Sequence, residues 1–215
     1  MPTSEAQEVL FGDVARQARS GDPQAQLALG QMLLNGVGVA RDESAALRWF
    51  LASAAQGTPM ACNMIGRSCE LGKGVAIDLH TAMLWYERAA RAGLDWGMYN
   101  FATGLTLGWG GEKDLPAALA WYRRAAALGH CKSFNIIGGF YEDGWAVARD
   151  LRRARAYYVR AARCGDFRGC FNLARFLLQE GRDAEAERYV AMARQMGTKE
   201  FLEKMDAFLE RRVNA

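Results

Sequence analysis

Histidine occurs only twice in this sequence of 215 residues, at His80 and His130, and cysteine five times, at Cys62, Cys69, Cys131, Cys164 and Cys170, with no CxxC pair. That scarcity excludes a zinc site built from closely spaced thiolates and imidazoles. An odd number of cysteines does not make a disulfide framework in a chain of this size. No apolar run approaches the roughly 20 residues of a membrane-spanning helix. Glu5, Glu8, Asp13, Arg16 and Arg19 interrupt the first 22 residues, so no signal-peptide core lies there. The expectation is a soluble, cytoplasmic chain without membrane insertion. A net charge of +3 is too mild to point to nucleic acid. A phosphate-binding loop is missing too, because "GVGV" and "GKGV" close a helix and precede an aspartate instead of joining a strand to a helix.

What is present is a core-forming composition, 51% hydrophobic and 24% charged, ordered by a repeat. Glycine recurs every 36 residues at 21, 57, 93, 129 and 165. In the same register stand Gly36, Gly72, Gly108 and Gly144; Asp42, Asp78, Asp114 and Asp150; Ala46, Ala82, Ala118 and Ala154; and Trp49, Trp85, Trp121 and Tyr157. Each unit reads as two helices. The first, "AQLALGQMLLNG" in one unit and "SFNIIGGFYEDG" in another, has apolar residues three and four apart and ends at a glycine suited to the left-handed conformation. A short loop leads to the aspartate, placed as N-cap of the second helix. Pro116 falls in the first turn of one second helix, where its missing N–H costs nothing. Small residues at 30, 66, 102, 138 and 174 let the paired helices approach, and the aromatics at 49, 85, 121 and 157 are expected to fill the space between neighbours.

The pattern resembles the Sel-one-like repeat, a relative of the tetratricopeptide repeat, over residues 22 to 166. The resemblance implies an all-α fold, an α/α solenoid of antiparallel helix pairs wound as a right-handed superhelix. One solenoid domain, 1–215, then comprises a capping helix (4–21), four repeats (22–57, 58–93, 94–129 and 130–165), a shortened tetratricopeptide-like repeat (166–197) and a second capping helix (198–212). Phe201, Leu202, Met205, Phe208 and Leu209 share one face of that last helix and are expected to cover the fifth unit. The third loop has Gly111 for the usual valine and the fourth has Ala146 for its second glycine, so both are expected to differ in shape.

No catalytic constellation emerges. The two histidines fall at unmatched repeat positions and His80 reads as a surface residue, so a non-enzyme without metal or cofactor is expected. Some cysteine-rich relatives pair a thiol from each helix of a repeat and have been linked to β-lactam binding. Cys62 meets only Ala89 and Ala90 in its unit, so that enzyme-class alternative does not carry over. All five thiols are expected to stay reduced; Cys62 and Cys69 on one helix would stand roughly 10 Å apart.

Constant repeat positions hold a scaffold, and variable ones are open to binding. The tetratricopeptide geometry implies a concave groove lined by first-helix residues. The partner-binding candidates are Asn63, Arg67, Trp96, Tyr99, Lys132, Asn135, Arg168, Phe171 and Arg175, a mixture of aromatics, amides and arginines of the kind found at hot spots. The loop residues Trp109 and Trp145 are a second candidate contact. Arg152, Arg153, Arg155, Arg160 and Arg163 lie on one helix, on the side the repeat makes convex, and read first as a solvated face. The expected function is therefore protein or peptide binding, as a monomeric adaptor, scaffold or regulator, without nucleic acid. The alternative within bacteria is an immunity protein that neutralises a toxin.

Overall fold

The computed structural model describes residues 4–213; residues 1–3 and 214–215 of the expected domain lie outside it. Twelve helices and no strand occur among the described residues. They are α1 (Ser4–Arg19), α2 (Pro23–Asn35), α3 (Glu43–Ala55), α4 (Pro59–Leu71), α5 (Leu79–Arg91), α6 (Asp95–Leu107), α7 (Leu115–Ala127), α8 (Cys131–Asp143), α9 (Leu151–Arg163), α10 (Phe167–Gln179), α11 (Asp183–Met196) and α12 (Lys199–Val213). They form two compact units that divide within α7, one up to Ala118 and one from Leu119. In the first unit α1 packs on α2, α2 on α3, α3 on α4, α4 on α5 and α5 on α6. In the second, α8 packs on α9, α9 on α10 and α10 on α11. The architecture is an all-α assembly of helix pairs, an α/α solenoid class.

The caps follow from the repeated residues. Asp42, Asp78, Asp114 and Asp150 each accept a hydrogen bond from the backbone N–H three residues on, at 2.8, 2.9, 2.9 and 3.0 Å. Gly36, Gly72, Gly108 and Gly144 end the first helices at φ of 70°, 69°, 78° and 77°. The second left-handed loop position is Gly38 (67°) and Gly74 (72°) in the first two repeats. In the fourth loop Ala146 takes φ 56° despite its side chain, so that loop keeps the conformation it was expected to lose. The third does differ, with its second positive φ shifted to Gly111 at 147°.

Small residues meet buried rings in both units. A β-carbon on Gly30 would lie 2.5 Å from Phe50 Cε1, and one on Gly66 2.7 Å from Tyr86 Cδ1. Phe50, Tyr86, Tyr122 and Tyr158 are 0 to 2% exposed. Burying such a side chain contributes about 1.5–3 kcal/mol. This corrects the sequence reading by one residue. Trp49, Trp85, Trp121 and Tyr157 are only half-buried, because the face that continues the buried Ala46, Ala82, Ala118 and Ala154 one turn on carries the next residue. Outside the core, Arg88, Arg124 and Arg160 lie over the rings of Trp85, Trp121 and Tyr157 at 5.4, 4.1 and 5.8 Å.

Helix α12 covers α10. Phe201 stacks edge-on against Phe167 and Phe171 at 4.7 and 5.8 Å, Phe208 against Phe171 at 5.5 Å, and Met205 is fully buried.

The expectation of five reduced thiols is overturned. Cys131 and Cys164 are disulfide-bonded with Cα atoms 5.5 Å apart, while Cys62, Cys69 and Cys170 are free and buried. An antiparallel pair sets the start of its first helix beside the end of its second. Comparing cysteines by nearness along the chain misses that juxtaposition.

Candidate functional site

The first-helix candidates fall into two sets, one per unit. In the first, Asn63 and Arg67 lie on α4, and Trp96 and Tyr99 on α6. Trp96 is 40% exposed and meets Tyr99 edge-on with ring centroids 6.3 Å apart. Asn63 is buried, and its Oδ1 accepts from Asn100 Nδ2 at 2.8 Å. That amide pair ties α4 to α6 at the residue after Tyr99. Arg67 is exposed and lines a polar cleft of about 260 Å³ between α2 and α4, with Gln31, Leu34, Asn35, Met64, Ser68, Leu71 and Lys73. Two amides and two cations line this cleft, with no carboxylate among its lining residues.

In the second unit Asn135 repeats the arrangement: it is buried and accepts from Asn172 Nδ2 at 2.8 Å. Arg175 donates to Asn172 Oδ1 at 3.1 Å and pairs with Glu142, which also accepts from the Tyr158 hydroxyl at 2.6 Å. Arg175 is thus committed within the fold. Phe171 lies under the α12 rings, which removes it from a partner's reach. Arg168 is exposed and sits over the Phe167 ring at 4.6 Å. Lys132, half-buried at the start of α8, acts electrostatically on Asp166. As partner-binding candidates, Asn63 and Asn135 are expected on the groove surface. Burial instead puts them in the wall, and Asn100 and Asn172 nearer the surface.

The polar pairs missed from sequence have a period of their own. Asn63 and Asn135, Glu70 and Glu142, and Asn100 and Asn172 are each 72 residues apart, two repeats, whereas the tyrosines that meet the glutamates belong to the 36-residue series Tyr86, Tyr122 and Tyr158. Tyr86 donates to Glu70 as Tyr158 does to Glu142. Burial, then the carboxylate partner, pushes both phenols far above the ordinary tyrosine range, so both remain protonated donors. A search at twice the repeat length would have found them.

The loop tryptophans part company. Trp109 is half-buried against the first unit's core, whereas Trp145 is 47% exposed, its ring edge-on to Phe140 at 5.8 Å. The larger cleft, about 560 Å³, lies between α11 and α12, over Leu178, Val190, Ala191 and Leu209 with Asp183, Glu187 and Arg194 at its edge. No group of His, Cys, Asp and Glu placed to hold a metal occurs among the described residues. No helix among them is long and apolar enough to cross a membrane.

Paired helices and polar ties between first helices define a repeat-built solenoid. The Sel1 repeat profile matches residues 23–58, 59–94, 96–130 and 137–166, and the chain belongs to the Sel1 repeat family. Proteins built of this repeat are in general protein-interaction modules. A solved Sel1 repeat protein from Oxalobacter formigenes is 28% identical, with a TM-score of 0.78 over 83% of this chain and 75% of that one. The protective antigen c5321 of uropathogenic Escherichia coli strains, with an SLR fold, is 25% identical with a TM-score of 0.73; the match covers 89% of this chain and 46% of the antigen. The immunity protein Pa5087 from Pseudomonas aeruginosa is 17% identical with a TM-score of 0.58, over 91% of this chain and 82% of that one, a likeness of fold alone. Among curated proteins none matches.

Proposed function

We propose that this protein is an adaptor or scaffold that binds a peptide segment of another protein on the first-helix face of its first unit. The observation that carries the reading is the Trp96–Tyr99 pair, half-exposed on α6, a helix that the Asn63–Asn100 bond ties to α4. Large aromatics presented on a rigid wall supply contact area at little entropic cost. Arg67 and Lys73 line the neighbouring cleft with amides, which favours a segment with an apolar anchor followed by carboxylates. The immunity role stays a second reading only as a name carried by a structural neighbour, since no residue of this site bears on a toxin.

Peptides selected from a random display library against the full chain test the reading. Selected sequences should pair an aromatic or aliphatic anchor with acidic residues. Trp96→Ala with Tyr99→Ala should weaken them by about 2 kcal/mol or more, by hot-spot precedent, with helix content unchanged. Selected peptides that bind the double variant as tightly as the parent would refute it.

A further inference from the structure

We propose that the outward face of α9 is a second, independent docking surface, for an acidic helical segment of a partner protein. The segment from Arg149 to Arg168 holds seven arginines, two aspartates and no lysine, and α9 itself contains no acidic residue. Arg152, Ala156, Arg160 and Arg163 follow one another at helical spacing, and all are exposed. The stripe runs about 16 Å at the helical rise, with the small Ala156 leaving its middle open.

These charges are poorly neutralised within the fold. Arg153 pairs with Asp150 at 3.3 Å and Arg155 with Glu180 at 3.4 Å. Arg152, Arg160 and Arg163 enter no ion pair among the described residues. Like charges three and four apart destabilise a helix, and Arg152 in the first turn opposes the helix dipole. Arg160 and Arg163 suit the dipole of the last turn, and Arg160 lies over two rings, but for Arg152 stability alone gives no reason to keep the charge. Carboxylates laid along the stripe would. Arginine suits them better than lysine because its planar fork grips a carboxylate with two hydrogen bonds.

The stripe also ends at an apolar hold. Between α9 and α11 a pocket of about 290 Å³ is lined by Ala162, Arg163, Glu185, Arg188, Tyr189 and Met192, the last 39% exposed. Arg163 belongs to both stripe and pocket, so an acidic helix with one leucine at the matching turn would engage both. Single-stranded nucleic acid fits worse, because the nearby rings are already engaged. Tyr157 stacks on Tyr141 with centroids 5.7 Å apart, and the Phe134 face lies under the Arg160 guanidinium at 4.2 Å. Neither ring is offered to a base.

Fluorescence anisotropy with a labelled, glutamate-rich helical peptide carrying one central leucine tests this at physiological salt. The full chain should bind it saturably. Arg152→Glu, Arg160→Glu and Arg163→Glu together should weaken binding at least tenfold, and replacing the leucine by serine should weaken it too. Reversing Arg16, Arg48 and Arg91, three exposed arginines of the first unit, should leave affinity unchanged. The proposal is overturned by any of three results: no saturable binding, equal loss in both charge-reversed triples, or tighter binding of an oligothymidylate than of the peptide.

Discussion

Two adjacent glycines of α8 should respond to the same substitution with opposite signs. A β-carbon on Gly138 would stand 2.5, 2.7 and 3.0 Å from Cε1, Cδ1 and Cζ of Tyr158, whereas one on Gly139 would meet only the Tyr158 hydroxyl at 3.9 Å. The ring cannot swing aside, since it is 1% exposed and its hydroxyl is bonded to Glu142. Gly139→Ala should therefore gain the ordinary helix advantage of alanine, about 0.5–1 kcal/mol. Gly138→Ala gains the same but must push two helices apart, an overpacking cost of about 1–3 kcal/mol. The shared helix contribution cancels between the variants, so their difference reports the contact itself. Urea denaturation followed by circular dichroism should place the Gly139→Ala midpoint above the parent and the Gly138→Ala midpoint below it. Equal stabilisation by both would refute the close approach of α8 and α9.

Two further perturbations address the second unit's thiols and its buried carboxylate. Alkylation of the unfolded chain without reductant should add three groups, and with reductant five. Five without reductant would show the Cys131–Cys164 bond to be absent. Closing its loop of 33 residues is worth roughly 3–4 kcal/mol in the chain-entropy description, and a bond retained in freshly isolated protein would argue against a reducing cytosol. In the native protein Cys62, Cys69 and Cys170 should resist alkylation, because burial raises all three, Cys170 to about 11. Asp166 caps α10 from a buried position, and desolvation holds its carboxyl above the ordinary value of 3.8. A raised carboxyl contributes stability below that ordinary value and loses it as pH rises through the raised one. Asp166→Asn keeps the cap acceptor and removes the titration, so its stability relative to the parent should climb from pH 4 to pH 7; a constant or falling difference would contradict the buried charge.

The helices, their caps and their pairing were legible because glycine and aspartate mark them by backbone chemistry alone. The inward ring position was not. Positions 49 and 50 recur with the same 36-residue step, so periodicity cannot tell which one faces the partner helix; Ala46 one turn before Phe50 is the clue that does. The cysteine bond needed the antiparallel pairing laid over the cysteine positions. Of the candidate face, Trp96 and Tyr99 were found as residues that break the repeat, but Asn100 and Asn172 lay hidden behind a period twice as long. Phe171 belongs to the cover instead: the apolar face expected over the fifth unit sets Phe201 and Phe208 against its ring, which the groove assignment leaves open.

The doubled period restricts how this protein can be lengthened or cut. Removing one repeat, residues 94–129, would bring Ile136 opposite Asn63 in place of Asn100. A buried amide would then face a hydrocarbon, at a cost of about 1–3 kcal/mol. Removing residues 94–165 would bring Asn172 there instead and restore the match. By that amide match the least costly insertion or deletion is four helices, and lengths that differ by an odd number of repeats would carry a mispaired seam.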